Sequence, residues 1–129
     1  MSKTTPQTQN GVWISPGMAA FGVVIIAITL AVGTLSPKLD AANDVLLFPY
    51  ADKCLHFFGW FVLGLAAASI SRTAHWQVLA WIACAAFGVL TEIGQIFVVG
   101  RYFQVSDCIA DIAGAALGII VVGVEDSAH

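Results

Sequence analysis

Apolar residues fall into four long runs broken by short polar stretches, and the breaks carry most of the charge. From Gly17 to Leu35 no residue is charged. That length is close to the roughly 20 residues a helix needs to cross a ~30 Å hydrocarbon core. Ser15-Pro16 supplies an N-cap and a first-turn proline, and Ser36-Pro37 stops the run. The second run spans about Cys54 to Ile70, the third runs from Trp76 to Val99, and the fourth from Val105 to Val124. Each break is short except residues 38–53, which hold Lys38, Asp40, Asp44, Asp52 and Lys53 around an apolar hexad, Val45 to Tyr50. The hexad is too apolar for a solvated loop and too short to span, so an interfacial or re-entrant segment is expected there. The predicted fold is all-α: a polytopic membrane protein, a bundle of four transmembrane helices.

Composition makes the bilayer unavoidable. Of 129 residues, 59% are apolar and only 10% charged, whereas a water-soluble surface takes about a quarter. The expected organisation is a polar disordered tail over 1–14, a membrane domain over 15–124 and a polar end over 125–129. Ala31-Val32-Gly33 resembles a signal-peptidase site, but the first run exceeds the roughly 7–15 residues of a signal core, so an uncleaved span is expected. No basic patch exists, which excludes nucleic acid as a partner. Lys3 and Arg72 lie on the side of the termini, and Lys38, Lys53 and Arg101 on the other. With Lys53 and Arg101 held in a polar site, the remaining cations favour cytoplasmic termini. Cys54, Cys84 and Cys108 have no metal-site spacing and read as small helix residues, with a Cys54–Cys108 disulfide as the alternative.

The unusual polar residues share one membrane face, opposite the termini. Asp52, Lys53 and His56 open the second span. Glu92, Gln95 and Arg101 close the third, and Asp107 and Asp111 open the fourth. Intramembrane carboxylates are costly and usually functional, so Glu92 and Asp111 demand partners. His56 and Asp111 are the expected ones for Glu92, with the two acids sharing a proton. Asp52 and Asp107 also suit helix N-termini, and Lys53 can snorkel to headgroups. A faint repeat, Asp52-x-x-x-His56-x-x-Gly59 against Asp107-x-x-x-Asp111-x-x-Gly114, suggests two related hairpins with a site between them. The small-residue pair Gly114-x-x-x-Gly118 predicts a close helix contact, within the bundle or in a dimer.

In this order, Asp52-Lys53-x-x-His56 before an apolar helix, Glu92-x-x-Gln95, Gly100-Arg101 and Ser106-Asp107 with a downstream Gly-x-x-x-Gly resemble the VanZ-like membrane proteins over about residues 36–122. The chain departs at Asp111, where the family usually carries Asn, and so adds a negative charge. The resemblance implies a bacterial inner-membrane protein acting on the cell envelope. The family's founding member is associated with low-level resistance to the glycopeptide teicoplanin.

The chemistry expected of the pocket is binding or modification of a lipid-linked or phosphate-bearing headgroup. Arg101 and Lys53 supply positive charge for phosphate, with Gln95 and Asp111 as further binding groups. His56 with Asp52 or Asp107 is a candidate oriented base, and Glu92 a candidate general acid. Partners are the lipid bilayer and a lipid-linked envelope precursor or phospholipid headgroup. No His-Glu-x-x-His motif exists, and neither metal nor cofactor is expected, although carboxylates with His56 are able to hold a divalent ion. The alternatives are a small proton- or ion-linked transporter and a non-catalytic assembly factor.

Overall fold

A computed structural model of the chain describes residues 16–35, 51–71 and 73–127, with the side chains of residue 51 and of 124–127 excepted. The expected polar tail, the hexad before Tyr50, Arg72 and the last residues of the polar end lie outside the described residues. Four helices follow one another: α1 (Pro16–Leu35), α2 (Ala51–Ile70), α3 (Ala74–Gln95) and α4 (Val105–Ser127). All four are long and apolar enough to cross a membrane, and the chain is a multi-pass membrane protein. Large apolar side chains cover the outside, among them Phe21, Ile28, Phe58, Leu90, Ile109 and Ile120. That pattern is what a surface facing acyl chains requires.

α2 and α4 form the innermost pair. A Cβ at Gly114 would strike the Phe57 carbonyl, one at Gly118 the Phe61 carbonyl, and one at Gly64 the Ala115 carbonyl. Without a side chain at these positions the two backbones touch directly, which is how helices associate in lipid. Gly114-x-x-x-Gly118 therefore packs the bundle from within. Beside this seam lies the apolar core, Trp60, Leu63, Ala67, Cys84 and Ala115, against which Phe87 and Leu30 pack. Trp60 is completely buried, and its indole Nε1 donates to the Cys84 carbonyl at 3.2 Å, joining α2 to α3. The three cysteines are free thiols, so no disulfide links Cys54 to Cys108.

α1 is peripheral. Only Thr34 is buried along it. Thr29 and Thr34 return their hydroxyls to the Ile25 and Leu30 carbonyls, both at 2.9 Å, which hides two polar groups from lipid.

α3 ends earlier than its apolar pattern suggests. The run continues to Val99, but the helix stops at Gln95. Tight turns follow, with the amides of Ile96, Phe97 and Val98 bonding to the carbonyls of Ile93, Gly94 and Gln95. Gly100 then adopts φ 77, a left-handed conformation that glycine enters without strain. Apolarity records immersion in lipid and does not record where a helix unwinds. Residues 96–104 fold over the end of α3 and deliver the chain to α4.

Candidate functional site

The C-terminal end of α1, the first turns of α2, the last turn of α3 and the first turns of α4 meet at one end of the bundle. Every polar residue singled out from the sequence lies there, but in two groups.

The inner group is buried to completion or nearly so. Glu92 and Asp111 are both 0% exposed and His56 only 4%. His56 Nδ1 lies 2.8 Å from Asp111 Oδ1 and 3.8 Å from Glu92 Oε1. The Gln95 amide donates to Glu92 Oε1 at 2.7 Å, and the backbone N–H of Gln104 donates to Glu92 Oε2 at 3.3 Å. The partners Glu92 required are therefore Gln95 and the chain just before α4, with His56 farther off. Asp111 is the residue His56 grips. The Trp60 indole stacks on the imidazole, ring centroids 6.0 Å apart and 20° from parallel. Gly88 supports the other side: a Cβ there would lie within 3.2 Å of Asp111 Oδ2 and 2.9 Å of Trp60 Nε1.

The outer group contains Asp52, Lys53, Arg101 and Asp107. Lys53, about a third exposed, donates to Asp107 Oδ1 at 2.7 Å and to Gln104 Oε1 at 3.2 Å. Its ammonium is thus committed to α4 and to the residue preceding it. Arg101 Nη2 donates to the Gly33 carbonyl at 3.2 Å. That carbonyl belongs to the last turn of α1, where helix acceptors lack intrahelical donors and a cation complements the dipole.

Beside these groups, between α1 and α2, runs a cleft of about 500 Å³. Leu30, Leu55, Phe58, Gly59 and Val62 form its greasy flanks, and Asp52, His56 and Arg101 lie at its polar end. Lys53, Gln95, Glu92, Asp107 and Asp111 do not line it. Asp111, and farther off Glu92, approach His56 from behind.

Gln104 was not foreseen. Its carbonyl accepts the first amides of α4, from Asp107 at 3.0 Å and Cys108 at 3.3 Å, while its N–H and side chain serve Glu92 and Lys53. A polar residue at a turn gives no sign of this, since a backbone N–H is present whatever the residue type. Among the described residues the faint repeat holds only in part. Asp52, His56, Asp107 and Asp111 converge, yet Gly59 faces the Leu30 side chain of α1 and Gly114 faces the backbone of α2.

Residues 8–124 match the family described as VanZ/LLP1. The chain belongs to the VanZ/LLP1 family. The match covers all four helices, apart from the last residues of α4, and all of the polar end of the bundle. No curated protein matches the chain, and no solved structure does. The membership thus rests on the same stretch that carries the clustered acids, His56 and Arg101.

Proposed function

We propose that this VanZ/LLP1 protein binds a phosphate-bearing lipid of the bacterial cell envelope, its chain in the α1–α2 cleft and its headgroup at Arg101 and His56. The carrying observation is the cleft itself, apolar along its flanks and closed by cationic and titratable side chains at one end. A volume of about 500 Å³ falls in the range of small-molecule sites. Arg101 lines the cleft, and the planar donor fork of a guanidinium matches phosphate oxygens. His56 stands next to that position with Asp111 fixing its ring, the arrangement a proton-transferring imidazole needs. In this reading His56 is the acid–base group. Asp52 shares the polar end, Asp111 holds the imidazole with Glu92 and its partner Gln95 behind it, Lys53 and Asp107 pair beside them, and the inner membrane is where the protein works.

The test is mass spectrometry of lipid extracted from the purified protein. An envelope phospholipid or polyprenyl phosphate should copurify with the wild type and be lost in Arg101→Ala. A His56→Ala protein that still inserts and purifies should fail to replace the wild type in a deletion strain. Equal lipid content in wild type and Arg101→Ala would remove the headgroup assignment.

A further inference from the structure

The polar end of the cleft poses an electrostatic problem. Among the described residues four carboxylates, Asp52, Glu92, Asp107 and Asp111, stand there with two fixed cations, Lys53 and Arg101. Carboxylates gathered in that number are expensive inside a membrane. They would also repel an anionic headgroup.

Two observations bear on what offsets them. Ligand atoms of Asp52, His56 and Asp107 all lie within 4.8 Å of one another. Asp107 is 1% exposed, its Oδ1 is held by Lys53, and its Oδ2 is buried without a hydrogen-bond partner among the described residues. A buried carboxylate oxygen without a donor signals either strain or a missing ligand. His56 adds a third element. In the tautomer whose Nδ1–H donates to Asp111, the lone pair lies on Nε2, the carboxylate–histidine pattern that orients an imidazole toward a metal.

We infer that Asp52, His56 and Asp107 form a divalent-cation site bordering the polar end of the cleft, with His56 Nε2 and a carboxylate oxygen from each aspartate as ligands. The inference rests on the lipid-phosphate reading of the same cleft and changes one part of it: with Nδ1 on Asp111 and Nε2 on the ion, His56 is a ligand in place of an acid–base group. Two carboxylates and one imidazole suit a Mn²⁺-like ion. Three protein ligands leave coordination positions for water or phosphate oxygens. Asp52 and His56 line the cleft, so those positions face the headgroup. A divalent ion offsets carboxylate charge there and offers an anion a positive centre. Asp111 is a positioning residue here, and Lys53 keeps Asp107 in register by holding its other oxygen. The sequence alone led to the expectation of no metal, because ligands drawn from two helices that are distant in sequence form no motif.

The experiment uses the full chain in nonionic detergent, stripped of lipid and washed with chelator, titrated with Mn²⁺ and followed by loss of the free-ion electron paramagnetic resonance signal. One ion per chain is expected, with affinity reduced at least about tenfold in Asp52→Asn and in Asp107→Asn. Pulsed measurements on the bound ion should show coupling to one imidazole nitrogen, and this decides the matter even where Asp107→Asn does not fold. Arg101→Ala should bind Mn²⁺ normally while losing lipid, which keeps the ion and the lipid readings separable. No Mn²⁺ uptake by the wild type, with or without added anionic phospholipid, overturns the site and leaves the lipid reading standing on its own test. Bound Mn²⁺ without nitrogen coupling, or binding abolished by Glu92→Gln and untouched by Asp52→Asn, overturns it as well.

Discussion

Where α2 meets α4, backbone lies on backbone; where α2 meets α1, a leucine side chain and a cleft intervene. Both seams use glycine on α2, Gly64 toward α4 and Gly59 toward α1, so residue type alone does not explain the difference. The neighbour does. A carbonyl oxygen in a helix cannot move aside, whereas the end of Leu30 can rotate. The α2–α4 seam can therefore hold His56 and Asp111 at a fixed 2.8 Å. The α1–α2 seam can widen or narrow around a guest. Rigidity is placed behind the imidazole and adaptability in front of it, which suits the lipid site proposed above.

This contrast is open to attack in order of effect, using thermal unfolding in detergent as the common measure. His56→Ala should be the most damaging substitution, costing about 3 kcal/mol or more, because it leaves Asp111 buried without its partner and weakens the surroundings of Glu92. Gly114→Ala comes next, at roughly 2–3 kcal/mol, since its methyl group must push α2 away from α4. Lys53→Met should cost about 1–2 kcal/mol through the loss of donors to Asp107 and Gln104. Gly59→Ala should cost less than about 1 kcal/mol, as Leu30 turns away, but it should cut lipid copurification by narrowing the cleft. If Gly59→Ala proves as destabilising as Gly114→Ala, the two seams are mechanically alike and the contrast fails.

Much of this arrangement was legible in the sequence. Runs of the right length between polar breaks led to the four helices. The placement of Asp52, His56, Glu92, Arg101, Asp107 and Asp111 near run ends led to one shared membrane face. Two kinds of information were absent. The direction in which each helix face points depends on packing, and in a nearly uniform apolar helix there is little periodicity to read it from. Hence the division between Lys53, turned to Asp107, and His56, turned to the cleft, was hidden although the two residues are three apart on α2. The second gap concerns backbone partners. Glu92 takes the Gln104 N–H and Arg101 takes the Gly33 carbonyl, and such groups belong to every residue alike. The position of the glycines was visible as spacing, but which neighbour each one admits was not.

The bond from Arg101 to the Gly33 carbonyl has a consequence for biogenesis. Its donor emerges from the ribosome 68 residues after its acceptor. α1 is therefore in the bilayer well before anything can fasten its end, and the groove beside it cannot close early. In water an open apolar groove on a half-made chain would invite aggregation. Among acyl chains such a groove meets no water, so under the lipid reading a first occupant can enter before the arginine that fastens the end of α1 has been made.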